Sequence, residues 1–284
     1  MIPSAFDYVA PTTVDDAVRA LSEAGEDAKV LAGGQSLIPV LRLRMAAPDL
    51  IVDLSRVEGL SGVRDDGDAI VIGAMTTHYD VQRDPLVREH ALLLALATDK
   101  VADPQVRHRG TFGGALAHAD PASDLPAPAL ALDAELVLAG ADGRRTVSAA
   151  EYFTDFFTTS MGQAEILCEV RVPKKTGWSA HYEKFNRVAQ AWSIVSVAAA
   201  VRVDGGSIAE ARVGLTNMAS TPIRATAVEQ ALVGQPATAE VITAAAEHAA
   251  EGTSPAADGN ADVEFRQHLA RVLTSRAVSA AVGA

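Results

Sequence analysis

Two glycine pairs constrain this chain more than any other feature. The first lies in Ala32-Gly33-Gly34-Gln35-Ser36 and the second in Gly110-Thr111-Phe112-Gly113-Gly114. Each follows an apolar or β-branched stretch and precedes a segment that can be helical. A turn from strand into helix exposes N–H groups that no helical carbonyl reaches. Those groups and the helix dipole favour an anion. Glycine lets the backbone approach that anion with no Cβ in the way. Ser36 can add a hydroxyl bond, or it can simply cap the helix.

One such loop alone is more often a structural turn. Two in one domain suggest a single diphosphate ligand held from both sides, which points towards flavin adenine dinucleotide (FAD). Neither loop reads G-x-G-x-x-G, and the chain has no G-x-x-x-x-G-K-[ST]. A Rossmann NAD site and a nucleotide triphosphatase are therefore disfavoured.

Charge agrees with phosphate held by backbone rather than by a basic patch. Lys and Arg total 24 against 36 Asp and Glu, a net charge of −12 over 284 residues. Such a chain has no electrostatic reason to bind nucleic acid or an anionic membrane. The single cysteine, Cys168, excludes an internal disulfide and an iron–sulfur cluster on this chain. It reads as a small buried apolar residue in the strand-like run Glu165–Val172. The N-terminus lacks a basic start followed by an apolar core, so no secretory signal is expected. No apolar run approaches the roughly 20 residues of a membrane span. A cytoplasmic protein is expected.

Along the chain, Thr13 and Asp16 can cap a helix through about Ala24. Lys29–Ala32 reads as a strand, Ser36 to Met45 as a helix and Leu50–Leu54 as a second strand, together an αβαβ unit. A second unit has a strand at Ala69–Ala74, two helical stretches over Thr77 to Lys100, and the second glycine loop. Ser123 or Asp124 caps a further helix with Pro126 in its first turn. Glu135–Leu138 and the run to Val172 complete a sheet. Pro173–Gly177 reads as a linker. Strands at Ala180–Arg187, Ser193–Val203 and Ile208–Leu215 follow, with a hairpin turn at Asp204–Ser207. From Arg224 onward the chain reads as Ala-rich helix, with a loop over Gly252–Ala261.

The seven histidines show no ligand spacing, so no metal site is expected. His78 and His118 lie near the glycine motifs and read as surface or core residues. There is no G-x-S-x-G, and no carboxylate pair stands out as acid and base. No catalytic residue is assigned.

These motifs occur together in one family. Ala32–Pro39, Ile72-Gly73-Ala74-Met75-Thr76-Thr77-His78 and Arg109-Gly110-Thr111-Phe112-Gly113-Gly114 resemble the FAD-binding medium subunit of molybdenum hydroxylases, the carbon monoxide dehydrogenase and xanthine dehydrogenase family. Ala119–Pro126 is similar to its A-x-P-x-S-D segment, and Gly214–Ala225 to its G…TP-x-R-A pattern. The resemblance spans nearly the whole chain in order.

The resemblance implies an α+β fold. A two-subdomain FAD-binding domain of the PCMH/vanillyl-alcohol-oxidase type would span 1–176, with subdomains of about 1–56 and 57–176. A C-terminal domain with a small antiparallel sheet covered by helices would span 177–284. The FAD diphosphate would lie between Ala32, Gly33, Gly34, Gln35 and Ser36 on one side and Thr111, Gly113 and Gly114 on the other. Lys29, Val30 and Leu37 would flank the first loop. Asp124 matches an aspartate that accepts hydroxyls of the ribityl or sugar chain, with a helix cap as the alternative. Leu167 and Lys184 match positions near the flavin ring; Lys184 can also be a solvated strand lysine. Trp192 falls where an aromatic residue can sit beside the flavin in the carbon monoxide branch, or it fills core. Phe112 departs from the usual aliphatic residue, which should alter packing behind the loop more than its N–H groups.

The implied function is an electron-transfer subunit. A large molybdenum subunit would hold the molybdenum cofactor and a small subunit the iron–sulfur clusters, in a dimer of heterotrimers. Electrons would leave FAD for an external acceptor, in the cytoplasm or at the inner membrane through the complex. Carbon monoxide dehydrogenase leads. Alternatives are an aldehyde, xanthine or aromatic-heterocycle dehydrogenase, a stand-alone FAD oxidoreductase, or a flavin-free scaffold.

Overall fold

A computed structural model describes residues 2–284. The chain begins with β1 (Asp7–Val9), α1 (Val14–Ala24), β2 (Ala28–Leu31), α2 (Leu37–Arg42) and β3 (Leu50–Asp53). Its sheet runs β1-β3-β2 with both pairings parallel. Thr13 caps α1 by accepting the Asp16 N–H at 3.1 Å. Ala17, Val18 and Leu21 then share the buried helix face and pack in one core with Val52 and Leu54. Strand β1 lies outside the expected αβαβ unit. It is three residues long and exposed throughout, so it leaves no alternation to read.

Next come β4 (Val63–Asp66), β5 (Ala69–Gly73), α3 (His78–Arg83), α4 (Pro85–His90), α5 (Leu92–Asp99), α6 (Pro104–Arg107), α7 (Phe112–His118) and α8 (Pro126–Ala131). They are followed by β6 (Glu135–Gly140), β7 (Gly143–Ser148), α9 (Ala149–Tyr152), β8 (Phe153–Asp155), β9 (Thr158–Thr159) and β10 (Ile166–Pro173). A five-stranded sheet runs β4-β5-β10-β6-β7, antiparallel throughout. Strand β10 serves two cores. Leu167, Val170 and Val172 join the main core, while Ile166 and Cys168 join the core of the first sheet. The two expected helical stretches over 77–100 are three short helices. Asp84 caps the second through the Leu86 N–H, and Pro85 occupies its first turn.

The last part holds β11 (Ser179–Phe185), β12 (Val195–Asp204), β13 (Ser207–Thr216), β14 (Ile223–Arg224), α10 (Thr226–Leu232), α11 (Ala239–Ala246) and α12 (Val263–Val282). Its four strands run in chain order, all antiparallel. Gly205 and Gly206, both at positive φ, make the two-residue hairpin turn. Strand β12 is buried on both faces. Val195, Val197, Ala199 and Val201 meet the terminal helices, and Ala198 and Ala200 belong to the main core with α5 and α8. The small side chains of Ala198 and Ala200 suit a sheet lying close against helices.

Two expected caps take other roles. Ser36 stands at the N-cap of α2 without making a side-chain cap bond. Helix α8 has Leu125 at its N-cap, again with no side-chain bond, so neither Ser123 nor Asp124 caps it. Asp124 is drawn instead to partners on β11 and in the loop after it.

Gly214 shows how tightly this sheet sits on α8. A Cβ there would lie 2.5 Å from the Ala127 carbonyl oxygen, which is backbone and cannot swing aside. Gly214→Ala should destabilise the protein by about 1–3 kcal/mol, the cost of overpacking. Denaturant unfolding of the two proteins measures it.

Candidate functional site

The two glycine loops touch. A Cβ on Gly33 would lie 2.4 Å from the Arg109 carbonyl oxygen and 2.6 Å from Gly110 Cα. A Cβ on Gly114 would meet Ala32 Cβ at 3.4 Å and Thr111 Oγ1 at 2.6 Å. Below Gly110 lies the His78 ring, whose backbone N–H donates to the Gly110 carbonyl at 2.9 Å. The three segments therefore stack with glycine at both crossings.

The loops are not equivalent as donors. In the second, the Phe112 N–H donates to the Thr76 carbonyl and the Gly113 N–H to the Ala74 carbonyl. The Gly114 N–H donates to Thr111 Oγ1, a helix cap. Gly113 also passes so close to Ala74 that a Cβ would lie 2.4 Å from that residue's Cβ. Its glycines are spacers. In the first loop, the N–H groups of Gly33, Gly34, Gln35 and Ser36 have no partner among the described residues. Gln35 Nε2 donates to the Gly33 carbonyl at 3.1 Å, and Gly34 holds φ +73°. These four donors precede α2, and the Ser36 hydroxyl is free of any cap bond. An anion fits this donor set.

Asp124 organises a second cluster. It is 3% exposed. Its Oδ1 accepts from the Tyr182 hydroxyl at 2.7 Å and from the Ser193 hydroxyl at 3.0 Å. Its Oδ2 accepts from Lys184 Nζ at 2.7 Å. Lys184 Nζ also donates to the Lys100 carbonyl at 3.2 Å, and Tyr182 Oη lies 2.7 Å from Ser196 Oγ. Burial pushes the Asp124 carboxyl above its ordinary range, against the pull of Lys184. Burial and the Asp124 charge push the Tyr182 phenol up, so it stays a donor. A cavity of about 410 Å³ opens beside the cluster, lined by Asp99 at the end of α5, Lys100 and Ala102 after it, and Tyr182, Lys184 and Asn186.

Backbone bonds fasten the same place. The Ser193 N–H donates to the Ala122 carbonyl at 3.3 Å, and the Asn217 N–H to the Pro121 carbonyl at 2.9 Å. The turn before α8 is thereby held to the C-terminal sheet.

Two family models together cover nearly the whole chain. Residues 4–175 match the family described as the FAD binding domain in molybdopterin dehydrogenase. Residues 180–281 match the CO dehydrogenase flavoprotein C-terminal domain. The carbon monoxide dehydrogenase medium chain of Hydrogenophaga pseudoflava is 40% identical over 99% of this chain and 98% of its own length. This chain is an FAD-binding medium subunit of the carbon monoxide dehydrogenase/xanthine dehydrogenase family of molybdenum hydroxylases.

Such a medium subunit is an oxidoreductase subunit. A second relative, subunit alpha of the 6-hydroxypseudooxynicotine dehydrogenase complex of Paenarthrobacter nicotinovorans, is 36% identical over 99% of this chain and 96% of its own. Among solved structures, a carbon monoxide dehydrogenase from H. pseudoflava lacking the Mo-pyranopterin moiety of the molybdenum cofactor superposes with a TM-score of 0.96. It is 42% identical and covers 100% of this chain and 99% of its own.

The medium subunit brings Ala32 against Gly114, Gly33 against the Arg109–Gly110 peptide, and Asp124 against Lys184. Other expected residues lie apart from these contacts. Lys29 is exposed on β2 beside half-buried Val30, and Leu167 is buried in β10 within the main core. Trp192 is 52% exposed, so it does not fill core; it precedes Ser193 in the loop after β11. Tyr182 and Ser193 escaped the sequence reading. Tyr182 shares a strand face with Lys184 two residues on, which was the available signal. Among the described residues, no group of three or more His, Cys, Asp or Glu is placed to hold a metal ion. None of their helices is long and apolar enough to cross a membrane.

His78 gives the site a pH dependence. Burial, with Arg107 adding repulsion, lowers its pKa from 6.5 to about 4. The folded protein then binds fewer protons here than the unfolded chain between those values. Stability from this group is full above 6.5 and is lost as pH falls towards 4, by about 3 kcal/mol in all. Denaturation midpoints measured across this window should fall with pH. The slope should flatten in His78→Gln.

Proposed function

We propose that this chain is the medium chain of a carbon monoxide dehydrogenase-type complex. Substrate is oxidised on a large subunit that carries the molybdenum cofactor. Iron–sulfur clusters of a small subunit pass the electrons here, and an external acceptor removes them. The assembly is a dimer of heterotrimers, cytoplasmic or peripheral to the inner membrane.

The observation that carries the reading is the set of four N–H groups at Gly33–Ser36 with no partner among the described residues, in a loop whose Gly33 packs on the Arg109–Gly110 peptide. These groups hold the diphosphate, and Ser36 adds its hydroxyl. Thr111, Gly113 and Gly114 set the width of the seat by packing. Asp124 has lone pairs beyond its three bonds and accepts a ligand hydroxyl. Lys184 pulls that carboxyl towards its charged form against the effect of burial, Lys29, Val30 and Leu37 flank the first loop, and Leu167 belongs to the ring end. The ring end points towards Lys184, where the 410 Å³ cavity gives an acceptor its approach, and exposed Trp192 precedes Ser193 of the same cluster. FAD, when bound, supplies a carrier that is filled one electron at a time and emptied in pairs. The chain supplies position and exclusion of water, which needs no acid or base of its own.

Carbon monoxide added to the purified complex should bleach its visible flavin band, while the isolated chain loaded with FAD should not respond. Bleaching by an aromatic heterocycle instead would favour the chemistry named for the P. nicotinovorans relative. Gly34→Val places a branched side chain at φ +73°, where even a Cβ would sit 2.7 Å from Ile38 Cδ1. FAD content should fall at least about tenfold as the donor set is displaced. Undiminished flavin in that variant would overturn the placement of the diphosphate.

A further inference from the structure

Arg266 on α12 is 1% exposed and is among the largest fully buried side chains of the described residues. A buried guanidinium needs partners for its charge and its donors. It has two. Nη2 pairs with Asp258 Oδ2 at 2.8 Å, and Nη1 donates to the Ile194 carbonyl. Nε has none.

Ile194 directly follows Ser193, whose hydroxyl binds Asp124. Asn217 Nδ2 donates to the Ser193 carbonyl at 2.9 Å and to the Ile194 carbonyl at 3.3 Å. The Ile194 N–H closes the loop by donating to the Phe185 carbonyl at 2.8 Å. The peptide beside Asp124 is thus gripped from α12, from the end of β13, and from the 119–124 turn. The charged grip comes from Arg266.

The other end of that grip is also prepared. Asp258 accepts the backbone N–H groups of Asn260 and Ala261 at 2.8 and 3.0 Å. It lies in the 252–261 stretch, which has neither helix nor strand. An exposed loop therefore reaches the Asp124 cluster through one side chain.

We infer that Arg266 is a positioning residue for the flavin site: through Ile194 and Ser193 it fixes the donors that hold Asp124 in place. This rests on the reading that FAD binds beside Asp124. Arg266 touches no ligand itself. It acts through a carbonyl whose position sets that of the neighbouring hydroxyl.

The test is a double-mutant cycle in the purified complex, read as FAD dissociation constant and flavin reduction potential. Arg266→Met and Ser193→Ala should each weaken FAD binding about tenfold, the worth of one strong hydrogen bond. The double variant should be no worse than either single, and both singles should shift the potential in the same direction. Arg266→Lys keeps the charge and should recover part of the loss. Additive losses with an unmoved potential would show a role confined to stability and overturn the inference. If Arg266→Met fails to fold, Asp258→Asn on the exposed loop replaces it. That variant should shift affinity and potential in the same direction by less, and wild-type values there would overturn the inference. Absence of FAD from the wild-type complex would instead remove the functional reading, and the inference with it.

Discussion

The site depends on how closely backbone can pass backbone. Gly33 lies under the Arg109–Gly110 peptide at a distance no side chain allows, and Gly110 lies on the His78 ring. Gly113 does the same against Ala74, and Gly73 against the Leu60 carbonyl. These crossings bring the turn after β2 to the start of α7. A methyl group at any of them would separate the turns before it touched a ligand. The glycines are therefore first a matter of spacing, and only those of the first loop leave donors free.

The second fixed point is ionic. Asp124 and Lys184 are both nearly buried, and such a pair is weak evidence for stability because desolvation consumes most of the attraction. Its value is geometric. A buried carboxyl group demands donors, and here they come from β11 and from the loop after it. The partners must assemble together or leave a charge stranded. That requirement holds the C-terminal sheet in register with the turn before α8, beyond what the shared apolar packing of Ala198 and Ala200 specifies.

Much of this was legible in the sequence, for local reasons. Thr13 and Asp16 mark a helix start because capping involves residues three apart. The hairpin at Asp204–Ser207 follows from two glycines at positive φ between alternating strands. The glycine loops are visible because their function excludes side chains. What escaped is non-local. Strand β1 exists only because β3 offers it an edge. Asp124 reads as a cap until Tyr182 and Lys184, 58 and 60 residues on, compete for it. Nothing near Ser123 in sequence signals that competition. Arg266 reads as one more charged residue on a C-terminal helix, and only the fold shows it buried against the Ile194 carbonyl.

The proposed role as an electron carrier gives the charge states around the site a physical meaning. A group that transfers protons in a reaction must change charge, and its surroundings must tolerate both states. The charged groups here are arranged against that. Asp124 is locked by three donors, Tyr182 is held as a phenol, and His78 is held neutral by burial. Tyr182 and His78 are thereby kept uncharged at neutral pH. Surroundings that do not change charge suit a carrier of electrons, whose rate depends on distance and potential. Preserving both calls for rigid placement, and the close-packed glycine crossings and the gripped Ser193–Ile194 peptide provide it.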